Sequence, residues 1–135
     1  MKVKKALCFD DVLLVPQKSR ILSRDTIDIS SSIRGAKFRL PVISSPMDTV
    51  TETDMAIAMA SVGGLGVIHR YNTIKEQASI VSDVVEFWDE LSSKNISKVA
   101  AAIGVGDDFM KRAQALYRAG ARIICIDVAL SLIHI

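Results

Sequence analysis

Residues Pro41 to Tyr71 read PVISSPMDTVTETDMAIAMASVGGLGVIHRY, and the order of apolar, small and polar residues in this stretch decides how the chain is built. A short apolar run, Pro41 to Ile43, ends in small polar residues and a Pro46-Met47-Asp48 turn. A helix signal follows. Thr51 is the expected N-cap, with Asp54 three residues on as its capping partner. Glu52 and Asp54 place negative charge in the first turn, where the helix dipole favours it. Met55, Ala56, Met59, Ala60 and Val62 give the helix many small residues, suited to close packing on a sheet. Gly63-Gly64 ends it, because glycine accepts the left-handed conformation past a helix terminus. A second apolar run, Leu65 to Ile68, then stops at His69-Arg70. The unit is strand, loop, helix, strand, with polar groups gathered where each strand stops.

Toward the C-terminus the same architecture repeats. Thr73 and Glu76 form a capping box. Ile74, Ala78, Val81, Val85 and Trp88 recur at alternating spacings of four and three, one face of a long helix reaching about Ser93. Val99–Ile103 is an unbroken apolar run, as expected of a strand covered on both faces. Gly104-Val105-Gly106 turns the chain, Asp107 or Asp108 caps a helix through Ala119, and Gly120 closes it. The glycines lack the full G-x-G-x-x-G pattern, so a tight turn is the expectation rather than a phosphate cradle. A fourth strand, Ile123–Ile126, ends at Asp127. Alternation of this kind implies parallel strands joined by right-handed crossovers. Pattern alone leaves open a small open sheet or half of an eight-stranded barrel.

Toward the N-terminus, Val12–Val15 reads as a strand or an extended arm stopped by Pro16. Thr26–Ser30 alternates like a short half-exposed strand, Ser30–Gly35 reads as a turn, and Lys37–Leu40 as its hairpin partner. These residues suit a cap or plug. At the other end, Leu130–Ile135 carries no turn, cap or stop signal, and one reverse translation of LSLIHI resembles a transposase end sequence used in library preparation. The expected division is therefore a domain at 1–129 and a non-native tail at 130–135.

The chain has 135 residues, 50% hydrophobic and 24% charged, with 17 basic against 15 acidic side chains. That is enough apolar material for a sizeable core. A net charge of +2 with scattered Lys and Arg gives no case for a nucleic acid or an anionic membrane as partner. The longest uncharged stretch, Met55–Ile68, is 14 residues, short of the roughly 20 a membrane span needs. The two cysteines, Cys8 and Cys125, have no metal-ligand spacing. A cytoplasmic, metal-free protein is the expectation.

The segment SSPMDTVTE, Ser44 to Glu52, closely resembles the IMP dehydrogenase and GMP reductase family. So do LCFDDVLLVP (Leu7–Pro16), MAIAMA (Met55–Ala60), GGLGVIHR (Gly63–Arg70), AAIGVGDD (Ala101–Asp108) and CIDVA (Cys125–Ala129), in the family's order. The resemblance, and not periodicity, selects the barrel. It implies an α/β chain that is the N-terminal half of a (β/α)8 TIM barrel, about four strands preceded by a short arm or hairpin, in a protein that is usually a homotetramer. It also implies a reaction in guanine nucleotide biosynthesis. A cysteine attacks the purine C2 of IMP, a hydride passes to NAD, and water releases XMP. A GMP reductase using NADPH is the alternative, and a catalytically inert remnant a further one. Pro46 and Thr51-Glu52 match the dehydrogenase pattern better. About eight residues, Leu91–Lys98, stand where some members carry a regulatory insert, implying the short form.

By the same resemblance Ser45 and Met47 are expected to contact the purine nucleotide, and Asp127, Arg70 and His69 the nicotinamide cofactor, while Asp48 braces its loop. The family often has Lys where Arg70 stands, and Arg cannot act as a proton donor as a tuned Lys can. Neither cysteine matches the nucleophile, whose Gly-Ser-x-Cys loop is missing from these residues. Any monovalent cation is expected to bind outside the segment.

Overall fold

A computed structural model describes residues 6–33, 35–90 and 99–128, with the side chain of residue 90 left aside. Two antiparallel strands, β1 (Ser31–Ile33) and β2 (Ala36–Phe38), form a hairpin. Four parallel strands follow: β3 (Ile43–Ser44), β4 (Leu65–Ile68), β5 (Ala100–Ile103) and β6 (Ile123–Ile126). Between them run α1 (Thr53–Ser61), α2 (Ile74–Glu90) and α3 (Phe109–Ala119).

The strand order is β3-β4-β5-β6, each strand beside its successor. Ala56 of α1, Val81, Val84 and Trp88 of α2 and Leu116 of α3 share one core with Ile68, Val99, Ala101 and Ile103. All three helices therefore cover the same face. The opposite face presents Leu65, Val67, Ala100 and Ala102, with Ile123 and Cys125 packed beside them. An open doubly wound sheet reverses its strand order and carries helices on both faces. Sequential order with helices on one face is the winding of a barrel. The open alternative left by the sequence pattern is thus removed. The hairpin supplies Ala36 and Phe38 to the inner face, so it plugs the interior near the strands' amino ends. Ile124 and Ile126 of β6 stay exposed on the helix-bearing side.

Small residues allow this layering. A Cβ added to Gly66 would lie 2.6 Å from Ala56 Cα and 3.1 Å from its Cβ. The first of these is α1 backbone, which cannot swing aside like a side-chain tip. Past the end of α1, Gly63 takes φ +86°, as its sequence position suggests.

Several local expectations shift. The strand expected at Thr26–Ser30 is displaced. Arg24–Thr26 is one 3₁₀ turn, its Asp25 N–H held by the Ser23 hydroxyl, and the Asp28 carboxylate accepts the Ser30 N–H at 2.8 Å. Short polar side chains here compete with sheet pairing, and pairing starts only at Ser31. Val12–Val15 forms no strand and is exposed. The run at Pro41–Ile43 becomes a strand only at Ile43–Ser44, although Leu40 N–H already donates to the Gly63 carbonyl and Leu65 N–H to that of Val42. In α2 the buried face runs Gln77, Val81, Val84, Trp88, while Val85 is only partly buried. The expected end of α2 near Ser93, the Leu91–Lys98 bridge and the 130–135 tail lie outside the described residues.

Replacing Gly66 with Ala is expected to lower unfolding stability by about 1–3 kcal/mol, the usual cost of overpacking a close contact. Urea denaturation followed by circular dichroism reads this directly. An unchanged midpoint would show that α1 does not rest on β4 as described.

Candidate functional site

The carboxyl ends of the four strands carry, in order, Ser45 and Met47, then His69 and Arg70, then Gly104, then Asp127. Each follows its strand by one to three residues, so strand register fixes where it emerges.

The loop after β3 is held by Thr51. Sequence patterning makes Thr51 the helix N-cap, but α1 starts at Thr53 and Glu52 occupies the cap position, without a capping bond from its side chain. Thr51 is instead fully buried. Its Oγ1 donates to the Ser45 carbonyl at 2.6 Å and lies 2.9 Å from Ser44 Oγ. Its N–H donates to the Met47 carbonyl, and its own carbonyl accepts from His69 N–H at 3.4 Å. One small side chain thus closes the Ser45–Val50 loop and anchors it to the end of β4. Asp48 adds a bond from Thr49 N–H to its carboxylate at 2.9 Å. Ser45 and Met47 remain exposed on this fixed loop.

His69 is buried. Its Nδ1 accepts the Tyr71 backbone N–H at 3.2 Å, so that nitrogen carries no proton. Nε2 therefore bears the hydrogen and points it at the exposed Glu52 carboxylate, 3.1 Å away. The ring is orientated by bonds on both nitrogens, which ties β4 to the start of α1.

Arg70 reaches across the sheet. Its Nε donates to the Asp127 carbonyl at 3.0 Å and lies 3.4 Å from Asp127 Oδ2. Its guanidinium carbon stands 5.4 Å from the Tyr71 ring centroid, within cation–π range. A Cβ on Gly104 would come within 3.4 Å of an Arg70 terminal nitrogen. Gly104 leaves room for the arginine, which gives the Gly104-Val105-Gly106 turn a packing role. Both members of the pair are 33% exposed, so the ion pair is reachable from solvent. Arg70 and Asp127 meet across the end of β5, whereas His69 is buried and turned to Glu52 and Tyr71, and Ser45 and Met47 occupy the loop after β3.

The cysteines are placed differently. Cys125 is half-buried on the inner face of β6. Burial, and then the Asp127 carboxylate, push its thiol above the ordinary range. Cys8 is exposed, and its backbone N–H and Sγ both bond the Asp11 carboxylate across the Phe9–Asp11 turn. Among the described residues no cluster of three or more His, Cys, Asp or Glu could hold a metal ion, and no helix is long and apolar enough to cross a membrane. A cavity of about 480 Å³ opens at the other end of the strands, between Phe38, Arg39, Leu65, Trp88 and Val99. It lies away from the residues gathered at the carboxyl ends.

Sequence reasoning missed Thr51 as a loop anchor and Gln77 as a buried amide. Gln77 is wholly buried, and only its place on the apolar face of α2, four residues before Val81, could have marked it.

In barrels wound in this way, functional groups are carried at the carboxyl ends of the strands. Residues 6–132 match the family model described as IMP dehydrogenase / GMP reductase domain, and the chain belongs to that family. A protein of Methanocaldococcus jannaschii named inosine-5'-monophosphate dehydrogenase is 47% identical over 107 residues, 79% of this chain and 21% of the relative. Proteins of the same name from Nitrosopumilus maritimus and Bacillus subtilis are 51% identical over 85 residues and 55% over 82. These cover 62% and 60% of this chain, and 18% and 17% of the relatives. The chain spans about a fifth of the length of the curated relatives it matches.

Alkylation with iodoacetamide at neutral pH is expected to modify Cys8 well before Cys125. The thiolate is the reactive form, and the raised Cys125 value means that its labelling climbs only as pH passes the usual thiol range. Mass spectrometry of the peptides checks this; preferential labelling of Cys125 at neutral pH would contradict its placement.

Proposed function

We propose that the chain is the N-terminal segment of an IMP dehydrogenase catalytic barrel, which oxidises IMP to XMP with NAD. The observation carrying this reading is the placement of Ser45, Met47, His69, Arg70 and Asp127 at the carboxyl ends of the strands, in a chain whose relatives bear that name. Ser45 and Met47 contact the purine nucleotide. Methionine is polarizable and adapts to a flat base, and the Thr51 anchor holds its loop in place. Asp127 and Arg70 face the cofactor. A carboxylate beside a guanidinium, both partly exposed, offers acceptor and donor to the amide and hydroxyl groups of a nicotinamide riboside. The residues therefore fit that group, which when bound accepts the hydride. His69 is buried, its ring held by bonds on both nitrogens.

The nucleophilic cysteine comes from outside these residues. Cys125 has its thiolate disfavoured, and Cys8 is engaged with Asp11 away from the strand ends. The 135 residues alone are expected to be inactive and poorly soluble, since among the described residues β6 ends the sheet with an edge open to further pairing and its Ile124 and Ile126 are exposed. The complete protein is proposed as a homotetramer, with any monovalent cation held outside this segment.

In a completed barrel, Asp127→Asn is expected to raise the KM for NAD about tenfold to a hundredfold, the loss typical of one charge-assisted hydrogen bond, with little change for IMP. Met47→Ala is expected to raise the KM for IMP instead. Steady-state kinetics with each substrate varied separates the two. A reversed pattern, or no change in either constant, would overturn the assignment.

A further inference from the structure

Arg70 stands on the loop after β4, Arg70–Thr73, and lies over Gly104 at the start of the loop after β5, Gly104–Asp108, while its partner Asp127 follows β6. Beneath them lies a polar tie that the proposed reaction does not use. The buried Gln77 donates from Nε2 to the Ala102 carbonyl at 2.9 Å and to the Ile68 carbonyl at 3.4 Å. Both belong to the last residues of their strands. Its Oε1 accepts from Arg112 Nη1 at 2.8 Å. The same Arg112 nitrogen donates to the Asn72 carbonyl at 3.1 Å, and the far side of the guanidinium meets the Asp108 carboxylate at 3.4 Å. Asp108 is the N-cap residue of α3, yet its side chain makes no capping bond; it is turned toward the arginine.

A single guanidinium on α3 thus holds the loop after β4 through Asn72, helix α2 through Gln77, and the loop after β5 through Asp108. Arg70 lies two residues before Asn72, and Gly104, over which Arg70 lies, four before Asp108. The planar fork of arginine can serve three acceptors at once in fixed directions, which a lysine ammonium on a flexible stem cannot. The Arg112 side chain is only 12% exposed and Gln77 is sealed from water, so the bonds to Gln77 are shielded from solvent, while the Asp108 carboxylate is 55% exposed.

We propose that Gln77 and Arg112 are positioning residues that set the two loops in mutual register and thereby hold Arg70 over Gly104 and against Asp127. The inference rests on the reading of Arg70 and Asp127 as cofactor-facing groups, but its physical content, the placement of Arg70, is measurable without turnover.

The test is nuclear magnetic resonance and hydrogen exchange on the completed barrel carrying Arg112→Met, with Arg112→Lys as a milder variant that keeps the charge. The Arg70 Nε–H, protected by its bond to the Asp127 carbonyl, should lose protection by about tenfold or more, the equivalent of 1.4 kcal/mol. The Tyr71 amide in the loop after β4 and the Phe109 amide at the first residue of α3, which bonds back to Gly106, should follow, while β4 and β5 amides keep their protection. Arg112→Lys should give a smaller loosening at the same positions. Unchanged Arg70 protection in both variants would overturn the proposal. So would uniform loss across strands and loops, which marks a purely structural tie. A completed barrel that kept this pattern but never used NAD would count against the proposed function and leave the positioning role standing.

Discussion

The close approach of α1 to β4 is the constraint on which the rest depends. Gly66 has no Cβ, and the space a Cβ would take is filled by the backbone of Ala56. α1 follows β3 after the Ser45–Glu52 loop and passes into β4 through Val62–Gly64. The small polar residues after β3 and the His69-Arg70 pair after β4 then emerge side by side. Thr51 converts this proximity into order, because its hydroxyl and both its backbone groups bond loop and strand. β5 follows the same logic with three successive alanines buried on both faces. The inner layer then has room for the hairpin plug, and the outer layer for α2 and α3 to lie close.

The charges at the strand ends are arranged for reach rather than for stability. Arg70 and Asp127 are separated by 57 residues in sequence, yet meet at a partly exposed ion pair. Exposed pairs of this kind contribute little to folding, at most about 1 kcal/mol. The structure nevertheless spends a glycine at 104, an aromatic ring at Tyr71 and the Gln77–Arg112 tie on holding this one in place.

Much of this was legible in the sequence, and the reasons differ by element. The Thr73–Glu76 capping box is realised with reciprocal bonds, Thr73 N–H to the carboxylate and Glu76 N–H to the hydroxyl. Its donors and acceptors lie within three residues, so no tertiary knowledge was needed. Strands β4, β5 and β6 were marked by apolar runs, and Gly120 by its place after α3, where it adopts φ +112°. Val84 and Val85 could not be separated, because neighbouring helix positions differ by only about 100° and burial depends on where the sheet lies. Thr51 resembles an N-cap by every local rule, but the capping position passed to Glu52 once burial claimed the hydroxyl. Gln77 and Arg112 are joined across 35 residues, a relation no local pattern carries. The five candidate site residues came from a family resemblance. The structure adds that Arg70 meets Asp127 and that His69 meets Glu52.

The most direct test of the account joins residues 1–128 in frame to the remaining barrel of the Bacillus subtilis relative and assays two reactions side by side. The account predicts NADH formation that requires IMP, with no consumption of NADPH in the presence of GMP. A folded chimera that instead consumes NADPH with GMP, or that turns over neither pair, would contradict it.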